Sequence, residues 1–372
     1  MKILVITNLF PNNKEPGRGV FNKQQFLSLS KYCEVKVVAP VAWLSKSVKE
    51  TEIIDGLEVF HPKLFAVPFI TRLINGFLFY FGIKKLVLEI QKNFDFDVIL
   101  VTWAYPDAFA ASLLSSSIKK PLIVKVHGTD INVLSRSFLK RLMIKIALKK
   151  AEKIVSVSNN LKERMVSFGV DEDKIVLVQN GVDKDKFKSI DKIECMERLG
   201  LDKEKKYVLY VGNLVPIKGV SSLINAFKDV DKNAELNIIG DGVLLSVLKQ
   251  KVESLGLKNR INFVGRVNHE EIPYWMNSSD VLCLPSINEG CPNVVLESLA
   301  CGLRVAVSKV GSNPDIIDSK DKGILFESRD MGGISKAINT ILKENIKFDS
   351  YSILSWDENA RKVYELIEMV KI

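Results

Sequence analysis

Cysteine is scarce and unpatterned. The five cysteines (Cys33, Cys195, Cys283, Cys291, Cys301) form no CxxC pair, and their number is odd. That excludes a disulfide framework and the usual zinc spacings, and it fits a reducing cytoplasmic setting. Histidine is rarer still, at three residues, and the 12 prolines are too few for a collagen-like or proline-rich chain. Long apolar runs are missing too. The most apolar stretch, Leu64 to Leu88, is broken by Pro68, Arg72, Asn75, Lys84 and Lys85. Its charge-free core, Leu73 to Ile83, has 11 residues, where a membrane span needs about 20. At the N-terminus the apolar run from Ile3 to Ile6 is too short for a secretory leader and reads as a first buried strand.

What is present is ordinary globular composition, 47% hydrophobic and 26% charged over 372 residues. At roughly 150 residues per domain this is about two domains, each able to bury a core. Charge is unevenly spread. Residues 1–180 carry 26 basic and 16 acidic side chains, whereas residues 181–372 carry 27 and 28. The first half is therefore expected to face an anionic partner.

Short β-branched runs alternate with longer amphipathic segments. In the first half, strands are predicted at Lys2–Thr7, Glu34–Ala39, Val98–Thr102, Leu122–Val126 and Lys153–Val157. In the second half they fall at Lys174–Gln179, Tyr207–Gly212, Glu235–Ile239, Ile261–Val264, Val281–Pro285, Val305–Ser308 and Gly323–Phe326. Helical patterns between them include Phe21–Lys31, Asn159–Phe168, Gly219–Phe227 and Val243–Leu255. Continuous apolar strands alternating with helices imply parallel sheets covered on both faces. The series restarts at Tyr207 after a charge-dense stretch, so the expected fold class is α/β with two doubly wound, Rossmann-like domains.

In such sheets ligands bind beyond the carboxyl ends of the strands, which directs attention to four loops. Gly17-Arg18-Gly19 leads into a helix after the first strand. His127-Gly128-Thr129-Asp130 follows the strand ending at Val126. Gly212-Asn213 through Lys218-Gly219 enters another helix, and a cation beside a helix start suits a diphosphate; the Walker A spacing is absent. The most informative segment runs from Pro285 to Glu297. Pro292 suits the first turn of a helix, so Glu289 lies in the loop and Glu297 a little over one turn into the helix. Between them a row of backbone N–H groups (Cys291, Asn293, Val294, Val295) is expected to face outward. Carboxylates accept sugar hydroxyls and amides suit phosphate, a pairing that fits a nucleotide sugar.

The run Glu289-Gly290-Cys291-Pro292-Asn293-Val294-Val295-Leu296-Glu297 resembles the E-x7-E signature of family 4 retaining glycosyltransferases. Further family-like pieces follow in order: Pro11–Gly19, His127–Asp130, Val155–Ser158, Gln179-Asn180-Gly181-Val182-Asp183 with Phe187, Val211–Gly219, Ile239–Gly242, Phe263–Gly265 and Ser355-Trp356-Asp357. The Gly-Asn-Leu-Val-Pro-Ile-Lys-Gly form is similar to bacterial polysaccharide-building members of the teichuronic acid biosynthesis type.

The resemblance implies a GT-B fold, with two domains facing across a cleft: 1–178, joined by a C-terminal helix at 358–372 that crosses back, and 179–357. It implies that Lys218 contacts the donor diphosphate, that Glu289 holds donor-sugar hydroxyls with amides of Gly290, Cys291, Pro292, Asn293 and Val294 nearby (proline contributing none), and that Glu297 binds the ribose. Arg266 would border the base, His127 would lie near the anomeric centre, and Gly17, Arg18 and Gly19 would close on phosphates or acceptor. Where the family usually has Arg beside the glycine before the Lys loop, this chain has Asn213. An amide can hydrogen-bond a phosphate but not neutralise it.

The expected activity is metal-independent, retaining transfer from a nucleotide-diphosphate sugar, UDP-linked in first preference, to a saccharide or polyprenyl-linked acceptor, with no cofactor. The alternatives are a UDP-GlcNAc 2-epimerase-like enzyme and a weakly active membrane-associated scaffold. Asp95-Phe96-Asp97 has the form of a metal-binding DxD, but it precedes its strand and reads as solvated acid. Ser135 to Ala151 carries Phe138, Leu139, Leu142, Met143, Ile146, Ala147 and Ala151 at helical spacing, with Lys140, Arg141, Lys145, Lys149 and Lys150 interleaved. Either this stripe faces the core, or it docks with the Leu64–Leu88 region on anionic lipid at the inner face of the cell membrane. No aromatic-basic motif for nucleic acid is present.

Overall fold

The most continuous apolar runs become central strands because nearly every side chain in them is buried. Ile3 to Ile6 and Val98, Ile99 and Val101 are wholly inaccessible, which only a sheet covered on both faces provides. The computed structural model describes residues 1–45, 47–65, 74–344, 351 and 353–370. The chain divides into two units, one of residues 1–181 with the C-terminal segment from Trp356, the other of residues 182–355.

Elements are numbered along the chain. The first unit holds β1 (Lys2–Thr7), α1 (Val20–Leu29), β2 (Glu34–Val38), β3 (Val41–Ala42), β4 (Thr51–Ile54), β5 (Leu57–Phe60), β6 (Lys63–Leu64) and α2 (Asn75–Phe94). It continues with β7 (Val98–Thr102), α3 (Phe109–Ile118), β8 (Leu122–Val126), α4 (Thr129–Asn132), α5 (Phe138–Lys150), β9 (Lys153–Ser156), α6 (Asn159–Ser167) and β10 (Ile175–Leu177). Its main sheet has the order β10-β9-β8-β7-β1-β2-β5-β4 and is parallel except for the β4–β5 hairpin. The strand predicted at Lys174–Gln179, counted with the second half although the expected first domain runs to 178, is β10 and pairs with β9 at the edge of the first sheet. Sequence order alone does not say which sheet an edge strand joins.

The hairpin was not expected. Its turn is Asp55-Gly56, both left-handed at φ 48° and 92°, and an Asp-Gly pair between two apolar-containing runs is a hairpin signal. Of the apolar core Leu73–Ile83, the part from Asn75 begins α2; residues 66–73 lie outside the described residues. Along α5, Met143, Ile144, Ala147 and Leu148 are buried, but Phe138, Leu139, Leu142 and Ile146 of the expected stripe are exposed. Among the described residues no helix is long and apolar enough to cross a membrane.

The second unit holds α7 (Lys192–Leu199), β11 (Lys206–Val211), α8 (Val220–Ala226), β12 (Ala234–Ile239), α9 (Leu245–Ser254), β13 (Ile261–Gly265) and α10 (Ile272–Ser278). After these come β14 (Val281–Leu284), α11 (Asn293–Ala300), β15 (Val305–Ser308), α12 (Asn313–Ile316), β16 (Gly323–Phe326) and α13 (Met331–Glu344). Its sheet is wholly parallel in the order β13-β12-β11-β14-β15-β16, the dinucleotide-fold order, which reverses between β11 and β14. A last helix, α14 (Trp356–Val370), packs on α1 of the first unit, where Gln25 Nε2 donates to Asn359 Oδ1 at 2.6 Å and Ala360, Val363 and Ile367 join the core.

Candidate active site

The strand order reverses between β11 and β14, the place where a doubly wound sheet binds its ligand, and the loops after these strands meet at its carboxyl edge. They are pinned together. Ile287 N donates to Ile217 O at 2.8 Å, and Gly219, at φ +68°, lies so close to the Pro285 carbonyl that a Cβ would strike it. Lys218 Nζ thereby reaches Glu289 Oε1 at 2.7 Å, and Ser286 Oγ donates to the same oxygen at 2.6 Å. Glu289 is 10% exposed and Lys218 25%, so this ion pair is partly withdrawn from water.

A second loop props the Glu289 backbone. Gly311 is left-handed, at φ +58°, and a Cβ there would lie 2.6 Å from Glu289 O and 2.7 Å from Gly290 O; Ser312 N donates to Gly290 O at 2.8 Å. Helix α11 starts at Asn293, with Pro292 as its cap rather than inside its first turn. Val295 N donates to Pro292 O at 3.0 Å. Its amide is therefore engaged and leaves the expected outward row, since a first turn satisfies its own third amide this way. Glu297 follows one turn on, with Oε1 3.3 Å from His269 Nε2. Arg266 is 83% exposed and pairs with Asp241 at 3.3 Å. The Asn213 side chain is exposed, while its backbone carbonyl accepts from the Tyr210 Oη hydroxyl at 3.1 Å.

The first unit has its own carboxyl-edge cluster. Its strand order reverses between β1 and β7. After β1, Arg18 donates to Asn8 O and Glu15 Oε2, both at 2.9 Å. Gly19 begins α1 in the left-handed region against the Leu9 carbonyl, whereas Gly17 has open space around it. After β8, the His127 ring lies between Phe21 and Trp103, with centroids at 5.1 and 5.7 Å. Burial, with the Lys125 charge second, holds its pKa well below the ordinary imidazole value, so the ring is neutral. Asp130 accepts the amides of Ala104 (2.9 Å) and Gly128 (2.7 Å), yet burial outweighs these bonds and raises its pKa.

Asp107, just past β7, is fully buried, and neither carboxylate oxygen meets hydrogen-bond geometry among the described residues. Burial pushes its pKa well above the usual carboxylate range; nearby amides of Asp107 itself and Asn8 offset this only in part. The Asp95-Phe96-Asp97 carboxylates lie at the other edge: Asp95 pairs with Lys120 at 3.2 Å and Asp97 accepts Lys2 N at 2.8 Å.

Of the residues read from sequence, the structure brings Lys218 and Glu289 into contact and sets Glu297 on the adjoining helix; Gly17, Arg18, Gly19 and His127 lie at the edge of the other unit's sheet. Sequence reasoning missed Ser286, His269, Gly311 and Asp107. Ser286 lay within the chosen segment, and Asp107 follows a confident strand by five residues, so a full sweep of the carboxyl-edge loops would have found both.

Two doubly wound units of this kind, with facing lysine and carboxylate loops at the switch point of the second, define the GT-B class of glycosyltransferases. Two family models match the chain in tandem, Glycosyltransferase Family 4 over residues 30–186 and Glycosyl transferases group 1 over residues 191–363. The chain belongs to this family and is a glycosyltransferase. It is 29% identical over 93% of its length to 90% of the putative teichuronic acid biosynthesis glycosyltransferase TuaC of Bacillus subtilis. Over 54% of each chain it is 31% identical to the Escherichia coli UDP-Gal:alpha-D-GlcNAc-diphosphoundecaprenol alpha-1,3-galactosyltransferase. Its fold matches Anabaena Alr3699/HepE, solved in complex with UDP, at TM-score 0.74 and 20% identity, covering 100% and 97% of the two chains.

Proposed function

We propose that this chain transfers a sugar, with retention of anomeric configuration and without a metal ion, from a UDP-sugar to a saccharide or polyprenyl-linked acceptor in cell-surface polysaccharide synthesis. The observation that carries the reading is the Lys218–Glu289–Ser286 cluster at the switch point of the second sheet. In the resting protein Lys218 neutralises Glu289. A bound donor would take that ammonium onto its diphosphate, where negative charge grows as the glycosidic bond breaks, and would offer sugar hydroxyls to the freed carboxylate. Glu297 would accept the ribose hydroxyls. In a front-face displacement the acceptor oxygen bonds to the anomeric carbon as the phosphate oxygen leaves from the same side, and that phosphate takes the acceptor's proton. With Asn213 in place of arginine, the charge on the leaving group falls mainly to Lys218.

The names of the relatives support the donor and acceptor classes: the Escherichia coli protein acts from UDP-Gal on a diphosphoundecaprenol-linked sugar, and Alr3699/HepE was solved with UDP. Membrane contact at the inner face is supported by α5, where exposed Phe138, Leu139, Leu142 and Ile146 stand among exposed Arg141, Lys149 and Lys150.

The test is a thermal-shift and turnover screen of the full chain with UDP-, GDP- and dTDP-sugars. A ligand at 100 times its Kd raises stability by about 2.7 kcal/mol. UDP-sugars are expected to stabilise most and to be turned over with retained configuration. Stabilisation without turnover would instead favour the scaffold, and a change at C2 of UDP-GlcNAc the epimerase.

A further inference from the structure

The imidazole of His269 is held on three sides within the second unit. Its Nε2 lies 3.3 Å from Glu297 Oε1 and its Nδ1 lies 3.5 Å from Lys186 Nζ. The ring meets Phe187 edge-on, with centroids 5.2 Å apart at 64°. Phe187 is 1% exposed and so is a fixed wall, and Lys186 is anchored by Glu270 Oε1 at 2.5 Å. An ammonium group has only hydrogens to offer, so the Nδ1 that it approaches must accept. The ring proton then sits on Nε2, facing Glu297, and donates to Oε1. That leaves Oε2 of a carboxylate only 15% exposed as the oxygen available to a ligand.

We propose that His269 is a positioning residue for ribose recognition: by occupying Oε1 of Glu297 it fixes the carboxylate plane and presents Oε2 to the 2′- and 3′-hydroxyls of the donor nucleotide. The inference rests on the reading of Glu297 as the ribose ligand and extends it to a specificity. A pinned carboxylate cannot turn away from a missing hydroxyl, so a 2′-deoxynucleotide leaves a partly desolvated acceptor oxygen short of a hydrogen bond, which is costly. A carboxylate free to rotate recovers water and loses the discrimination. Lys186 serves by holding the tautomer, and Phe187 by holding the ring.

The experiment is calorimetric titration of the full chain with UDP, GDP and ADP and with their 2′-deoxy counterparts, alongside His269→Ala, His269→Gln and Glu297→Gln. The wild-type protein is expected to prefer the ribose form of whichever nucleotide binds by about ten-fold, consistent with one lost bond to a charged group. His269→Ala is expected to weaken the ribose nucleotide about ten-fold while hardly changing the deoxy form, so the preference collapses. His269→Gln, whose amide can donate to the same oxygen, is expected to restore it. In turnover His269→Ala should raise donor KM more than it lowers kcat, and His269→Gln should return KM toward the wild-type value. If Glu297→Gln abolishes the preference while His269→Ala keeps it, His269 has no such role and the reading of Glu297 stands. A wild-type protein that binds both forms equally, or binds none of the nucleotides, overturns the inference together with that reading of Glu297.

Discussion

The ammonium of Lys218 and the carboxylate of Glu289 lie 2.7 Å apart although 71 residues separate them along the chain. Both are partly withdrawn from water, and Ser286 shares the same carboxylate oxygen. If this pair is the donor grip, removing either charge removes stabilisation realised as the diphosphate departs. Lys218→Ala and Glu289→Ala are each expected to lower turnover by about 10²-fold or more. Wild-type kinetics in both variants would refute the site.

Gly311 gives a test of how that site is propped. A methyl group there meets the carbonyls of Glu289 and Gly290 in a left-handed backbone. Gly311→Ala should cost about 1–3 kcal/mol of stability in denaturant titration and raise donor KM as Glu289 moves. Gly17 is not left-handed and has open space around it. Gly17→Ala should leave stability nearly unchanged, so any loss of turnover there reports on ligand closure.

The buried Asp107 makes a prediction about pH. Its folded pKa is raised above the unfolded value, so the folded state binds the proton more tightly. The stability this contributes is present below the unfolded carboxylate value, near 3.9, and is lost as pH rises through the folded pKa. Asp107→Asn, which mimics the neutral acid, should remove that decline, so that the variant gains stability over wild type as pH increases. Asp130 shifts in the same direction, and it remains in both proteins. Equal pH profiles for the two would show that Asp107 ionises as freely when folded as when unfolded.

His127 has the opposite sign. Its folded pKa is depressed by burial and by Lys125, so its contribution is present above the unfolded value near 6.5 and fades as pH falls toward the folded pKa. His127→Gln should flatten the acid side of the stability curve, read by thermal melts across pH.

For α5, the expectation is binding to vesicles containing phosphatidylglycerol that weakens with salt, with each cation near the surface adding roughly 1 kcal/mol. Arg141→Glu with Lys149→Glu should abolish the preference for anionic lipid, and Phe138→Ser with Leu142→Ser should weaken binding at all salt concentrations. Equal binding of the wild-type protein to neutral and anionic vesicles would reject the electrostatic part.

Much of the fold was legible because strand and helix periods are short-range patterns. Ile3–Ile6 and Val98–Val101 announce buried parallel strands by composition alone. The Glu289-to-Glu297 spacing likewise places one acid before a helix and one upon it. The edge strand at Ile175–Leu177, counted among the second-half strands though it lies within the expected domain 1–178, pairs with β9, because pairing partners are chosen by packing and not by position in the chain. The Thr51–Phe60 hairpin passed unnoticed although its Asp-Gly turn was in view. Half of the α5 stripe proved to be exposed, since helical spacing identifies an apolar face but not what covers it.

By itself, then, the amino-acid order determined that strands and helices alternate, where loops fall at their carboxyl ends, and which loops carry lysine, histidine and paired acids. Only the tertiary structure decided that β11 lies beside β14, and hence that Lys218 meets Glu289; that Gly311 props their loop; that His269 touches Glu297; and that Asp107 is sealed from water. The physical reason is range. Backbone propensity and hydrophobic period act over a few residues, whereas sheet order, burial and the meeting of distant charges are set by how whole elements exclude water together.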